Sequence, residues 1–209
     1  EENFLWVSNQ RAFDLMNEGI FPPQTSDPVL NPFYEMIDAQ LTTEVFGLFA
    51  PTNPKVALDI AYLPIRTTAA GNAVEIAEFY VIMHSLASNP TTNMTIKDRI
   101  HLIANQAREH LNDENYPAKM YDFVFNEYKK GTPWETTRNL LNKKYQINQE
   151  DGYSWPSKDK DCSGCFAAGI NFGASIISLF YGDYVNNSGI NVNGIINNNT
   201  KKYTIGQGI

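Results

Sequence analysis

The stretch "DKDCSGC", residues 159 to 165, brings two carboxylates and two thiols within seven residues. A Cys-x-x-Cys pair at the start of a helix can hold one thiolate in the field of the helix dipole, which is how redox dithiols are activated. Such a pair ordinarily follows a strand in a βαβ unit, and no strand pattern precedes Cys162 and Cys165. Structural zinc needs four ligands. The three histidines, His84, His101 and His110, stand at no finger-like spacing from the pair. The two cysteines therefore read as the small-residue opening of a helix. Asp159 and Asp161 have the oxygen chemistry for a hard cation. Lys158 and Lys160 flank them with competing positive charge, so the run reads as a charge-balanced loop.

Elsewhere no Ser-His-Asp set, phosphate-cradling Gly loop or nucleotide-binding turn can be assembled. His84 shares a helical face with Tyr80 and Met83, and His101 and His110 stand near Arg99, Arg108 and Glu109. More chemistry resides in "MIDAQLTTEVFGLFAPTNP", residues 36 to 54. On a helix, Asp38, Thr42 and Val45 lie near one line, with Gln40, Thr43 and Glu44 on a neighbouring polar side. Two readings stand: a surface helix with solvated polar groups, or a helix whose polar face lines a cleft and bonds a sugar or nucleotide.

The elements that must carry these groups read as helical almost throughout. Leu5, Ala12, Leu15 and Met16 set a helix over 4–17 with Gly19 as its stop. "GIFPPQTSDPVLNP", 19 to 32, is too rich in proline for regular structure. Pro32 suits the first turn of a helix running to Leu48, with Met36, Ile37, Leu41, Val45 and Leu48 as its apolar stripe. Asn53-Pro54 starts another helix through Ala61. Gly71–Ala87 is amphipathic. Thr95 opens the next helix, which carries Ile100, Ile103, Ala107 and Leu111, and Pro117 begins one that closes at Gly131. Thr132-Pro-Trp-Glu135 has the letters of a capping box for a helix to Tyr145. Residues 146–164 read as a polar loop and 165–181 as a small-residue helix. The expected architecture is all-α: one domain of about seven helices over 1–184, then an irregular Asn-rich tail over 185–209.

Composition narrows the function classes. A net charge of −7 with no basic stripe argues against nucleic acid, which demands clustered Lys and Arg. The longest apolar run, around Ala174–Tyr181, is far short of a membrane span. The opening "EENFLWVSNQRAF" has no basic start and apolar stretch of a signal peptide, so a soluble chain is expected. Asn93, Asn186 and Asn198 stand in Asn-x-Ser/Thr triplets, which permit secretion without arguing for it.

Four stretches, in order, resemble the ADP-ribosylglycohydrolase family, relatives of the enzyme that reactivates dinitrogenase reductase. "IDAQLTTEVFGLFAPTNPKVALDIAYL" is similar to the family's Gln-containing helix, Pro-x-Asn-Pro turn and Ala-rich helix. "AAGNAVEIAEFYVIMHSLA" is similar to the Gly-started helix that follows. "YDFVFNEYKKGTPWETTRNLLNKKY" resembles the helix, Trp turn and Arg-bearing helix, and "AAGINFGASIISLFYGDY" the late Asn-led helix. The likeness spans residues 10 to 184 and implies an all-α fold.

It also implies hydrolysis of the glycosidic bond between ADP-ribose and an acceptor side chain, assisted by Mg²⁺, with ADP-ribose or an ADP-ribosylated protein as partner. Metal-bound water and carboxylates would meet an oxocarbenium-like centre. Gln40 and Glu44 match the family's cleft-facing polar helix, Asn171 matches the Asn of the late helix, and Asp38 joins them as a substrate-binding candidate. The chain departs from the pattern at the metal motifs. The first, Thr-x-Asp, would lie upstream of Glu1. The second, Gly-Trp-Asp-x-Asp, belongs after "LFYGDY", where the chain reads "NNSGINVNGIINNNT". Asp159 and Asp161 precede the late helix instead of following it, so no metal role passes to them. The family's His before the mid-chain Gly is also replaced, by Thr67, Thr68 and Ala69. The resemblance therefore leaves both the catalytic residues and the Mg²⁺ ligands unassigned.

Overall fold

The computed structural model describes residues 5–89, 93–154 and 166–182. Among them there is no strand, and the fold is all-α, as the caps and periods require. The cysteine pair, Asp159, Asp161 and the Asn-rich tail lie outside the described residues. The chain packs as two compact units, Glu1–Asn89 and Pro90–Ile209.

The first unit contains α1 (Val7–Asn17), α2 (Asp38–Thr42), α3 (Phe46–Phe49), α4 (Pro54–Ile65) and α5 (Asn72–Ala87). Helix α1 ends where expected, because Gly19 takes the left-handed conformation at φ 87°. The Pro-rich connection is irregular apart from one 3₁₀ turn, Gln24–Ser26. Side chains hold it in place: buried Asn31 donates to the Ser8 and Thr25 carbonyls, and Arg11 donates to Leu30 O. Backbone groups in a non-repetitive stretch need such partners once water is excluded.

Helix α5 is the axis of this unit. Expected to be amphipathic, it is instead buried on nearly every side, from Ala73 through Ile76, Phe79 and Val81 to Ser85. Gly71 caps it at φ 59°, and the Glu35 carboxylate accepts from the Asn72 amide at 3.3 Å, an anion at a helix N-terminus. Helix α4 starts as expected, with the Asn53 side chain accepting from Val56 N. It runs a turn beyond Ala61, to Ile65, with Pro64 tolerated inside it.

The expected helix over 32–48 is broken. Residues 32–37 form turns, and two short helices, α2 and α3, follow with a bend over 43–45. Two adjacent threonines supply the physical reason. Thr42 Oγ1 donates to Asp38 O and Thr43 Oγ1 to Ala39 O, the back-bonding to i−4 carbonyls that commonly bends a helix. Gly47 then seats α3 directly against α5, where a Cβ would stand 2.7 Å from His84 Cβ.

The second unit contains α6 (Ile96–Arg108), α7 (Tyr116–Lys129), α8 (Trp134–Leu141), which passes into a π turn over Asn142–Ile147, and α9 (Ala168–Tyr181). Nine α-helices are thus present among the described residues, against about seven expected. Thr95 caps α6 by accepting from Asp98 N at 3.1 Å. The expected capping box at the next boundary does not form. Thr132 Oγ1 donates to Glu127 Oε2 at 2.8 Å, and Pro133 occupies the cap position of α8. Glu127 captures the hydroxyl because it reaches back from the end of α7, already held by Lys130. Glycines 169 and 173 let α9 approach Tyr116, Tyr153, Met120 and Leu141 closely.

Candidate functional site

Two of the four substrate-binding candidates, Asp38 and Gln40, stand on α2, and a third, Glu44, lies just beyond it. Asp38 and Gln40 are turned inward and Leu41 outward, the reverse of the usual amphipathic order. Asp38, Gln40 and Thr43 are 4%, 1% and 2% exposed, whereas Leu41 and Leu48 are 46% and 50% exposed. Of the expected apolar stripe only Met36 and Ile37 are buried. Asp38, Gln40 and Thr43 are thus not solvated, whereas Thr42 is exposed and Glu44 half-buried.

Asp38 and Gln40 are two residues apart and so leave a short helix in different directions. Asp38 meets α1, where Asn9 Nδ2 donates to its Oδ1. The buried Ser8 hydroxyl lies near the same carboxylate without closing a bond of normal geometry, and Oδ2 has no hydrogen-bond partner. Gln40 meets α5: its Nε2 donates to Tyr80 Oη at 3.3 Å, while its Oε1 has no partner. Glu44, beyond the threonine bend, is half-buried. Buried polar oxygens without a protein partner are uncommon and mark places where water, an ion or a ligand completes the set.

Burial lifts the Asp38 carboxyl above the usual carboxylate range, opposed in part by Ser8, its own backbone amide and Asn9. The folded state therefore binds this proton more readily than the unfolded chain does. At neutral pH the desolvated carboxylate costs stability, and the cost is relieved as pH falls through the folded value toward the unfolded one, near 3.8. Asp38→Asn keeps an oxygen for Asn9 and adds a donor for Ser8. Its melting temperature at pH 7 is expected to equal or exceed that of the unaltered protein, and differential scanning calorimetry from pH 7 to pH 4 should show the gap closing. A lower melting point at pH 7 would mean that the charge itself holds α1 to α2.

The fourth candidate, Asn171, belongs to the second unit. Its Nδ2 donates to Ala167 O at 2.9 Å, so the amide is tied to the start of its own helix. His84 also has a local task, its Nδ1 lying 2.9 Å from Tyr80 O. Sequence reasoning did not single out Ser8 and Asn9, although they are the nearest polar neighbours of Asp38. They lie 30 and 29 residues before it, and no spacing rule joins the two elements.

A Mg²⁺ site is implied by the resemblance and was tested against the donors present. Mg²⁺ takes six oxygens in octahedral geometry, commonly one or two ionised carboxylates with several retained waters. Among the described residues no three His, Cys, Asp or Glu side chains converge to hold a metal ion. Asp38 does not fit Mg²⁺: it is buried away from the waters such an ion retains, its Oδ1 already accepts from Asn9, and burial favours its protonated form. No helix among the described residues is long and apolar enough to cross a membrane. No protein-family model, curated protein or solved structure matches this chain.

Proposed function

We propose that this chain is an ADP-ribosylglycohydrolase-type helical scaffold that recognises ADP-ribose through the buried acceptors of α2. The observation that carries the reading is the pair of buried, unpartnered acceptors, Asp38 Oδ2 and Gln40 Oε1, on the segment whose letters resemble the family. Ribose hydroxyls are donors of the kind these oxygens lack. Because both acceptors are buried, a sugar reaches them through a bridging water or on local opening of the five-residue α2.

The family reaction is Mg²⁺-assisted hydrolysis of the bond between ADP-ribose and an acceptor side chain. It needs converging carboxylates that the described residues do not assemble. That observation favours the second reading, a non-catalytic relative that binds a nucleotide or a partner, for the residues seen here.

Calorimetric titration with ADP-ribose, and with AMP as control, tests the proposal. Gln40→Ala is expected to weaken ADP-ribose roughly tenfold, the worth of one hydrogen bond of about 1.4 kcal/mol. No heat with millimolar ADP-ribose, in a chain that is folded by circular dichroism, overturns it. In parallel the chain is incubated with an ADP-ribosylated arginine or serine peptide and Mg²⁺. Free ADP-ribose above a no-protein blank would make the chain itself a hydrolase and displace the non-catalytic reading.

A further inference from the structure

Within the second unit, α6 is fastened to its neighbours along a narrow seam. Lys97, His101, Asn105 and Arg108 recur at helical spacing and so share one side. Arg108 grips Asp122 of α7 with two hydrogen bonds, at 2.9 and 2.6 Å. One turn back, Asn105 Oδ1 accepts from Tyr121 Oη at 3.0 Å. Another turn back, the His101 ring is set edge-on between Tyr128 of α7, 5.5 Å away, and Phe180 of α9, 5.0 Å away. Lys97 closes the row, its ammonium 5.5 Å from the centre of that same Tyr128 ring.

His101 is the member of this seam that does not fit. Its Nε2 is buried without a hydrogen bond of normal geometry, between the Tyr128 and Phe180 rings and near the Phe180 backbone. A neutral imidazole tolerates such a place, because an edge-on ring nitrogen can rest against a π face. An imidazolium does not. It would lose its water, and it would stand beside the Lys97 ammonium over a ring that can serve only one of them.

We propose that His101 is an acid-released latch: neutral, it clamps α6 onto Tyr128 and Phe180, and protonation drives it out and frees α6 from α7 and α9. The charged and titratable groups that bear on it are few. On its own helix Lys97 opposes protonation and Asp98 favours it. Asp98 is occupied at the helix start with Thr95. From α9 the Phe180 backbone also favours protonation, more weakly than burial and Lys97 oppose it, and the facing side chains are Tyr128 and Phe180, with Tyr121 and Tyr181 behind them, none of which carries charge near neutral pH. Burial first, then Lys97, holds the folded imidazole below its ordinary value of 6.5. The neutral form is therefore favoured in the folded state. The latch is closed above pH 6.5 and opens as pH falls from there toward the folded value. Among the three fastenings, the guanidinium–carboxylate pair and the Asn–Tyr bond do not change charge in that range, so His101 alone supplies the sensitivity.

Amide hydrogen exchange on the full chain reads this directly. Between pH 7.5 and pH 5.5, after correction for the intrinsic exchange rate, protection of α6 is expected to fall relative to α8, by up to tenfold per pH unit once the histidine titrates. His101→Phe keeps the ring packing and removes the proton site, so its α6 protection should be flat over the same range. An unaltered chain with no loss in α6, or a His101→Phe variant with the same loss, overturns the proposal. A histidine NMR titration of the unaltered protein keeps the test decisive should His101→Phe fail to fold. The His101 ring signal must titrate together with the loss of α6 protection, and titration of His101 with α6 still protected rules the latch out.

Discussion

Gly47→Ala is expected to destabilise the protein by roughly 3 kcal/mol, at the top of the range for forcing an atom into a packed site. The reason is not conformational, since Gly47 has an ordinary helical backbone and is absent from the left-handed positions. A methyl group here would stand 2.7 Å from His84 Cβ and 2.8 Å from the Ser85 amide nitrogen. Both belong to the backbone frame of α5, which cannot swing aside as a side-chain tip can. Relief requires α3 to lift, and lifting breaks two further fastenings nearby. Ser85 Oγ donates to Ala50 O at 2.6 Å, and Thr52 N donates to Ser85 O at 2.9 Å. Urea denaturation followed by circular dichroism measures the loss. Gly131→Ala is the informative comparison. Gly131 has φ 74° and nothing within 4 Å of its added methyl, so its substitution meets strain without collision and should cost only about 1–2 kcal/mol. Equal losses at the two sites would mean that α3 is not seated on α5 as described.

Phe180→Ala should cost about 3–5 kcal/mol, because it empties the aromatic centre of the second unit. The ring is fully buried and meets four others: His101 and Phe125 at 5.0 Å, and Tyr121 and Tyr128 at 5.5 Å. Ring pairs of this kind contribute beyond the area they bury. Phe180→Leu keeps most of the volume and should cost less than about 1.5 kcal/mol. Urea midpoints of the two variants separate the two contributions. If Phe180→Leu proves as damaging as Phe180→Ala, the ring–ring geometry rather than the filled volume is what the unit requires. Phe180→Ala also removes one wall of the His101 seat, so its α6 should be released already at pH 7.5.

Helix starts and stops were the most legible part of the chain. Asn53 before Pro54, Thr95 with Asp98, Pro117 in a first turn, and glycines 19, 71 and 131 all act where their chemistry directs. These devices work within one turn, so neighbouring letters suffice to read them. Where a rival partner came from an adjacent element the reading failed. Thr132 and Glu135 have the spacing of a capping box, yet Glu127, at the far end of α7, takes the hydroxyl. A local pattern states which bonds are possible, and competition between partners decides which one forms.

The candidate site shows the same division. That residues 38 to 44 carry an amide, hydroxyls and carboxylates was visible in the letters. Which side of α2 faces inward was not. The apolar side of a helix usually buries because water rejects it, but the choice belongs to the whole packing arrangement. Here α1 supplies Asn9 and Ser8 for Asp38, and α5 supplies Tyr80 for Gln40. Those partners make polar burial tolerable and leave Leu41, Val45 and Leu48 exposed.

The letters by themselves determined the all-α class seen in the described residues and most helix starts and stops, though not the break within 32–48. Tertiary structure decided that Asp38 and Gln40 are buried acceptors, that Gly47 is a seat for α5, and that His101 lies edge-on between two aromatic rings. Caps and periods are properties of neighbouring residues. Burial, desolvation and unpartnered atoms arise only when residues far apart in the chain are brought into contact.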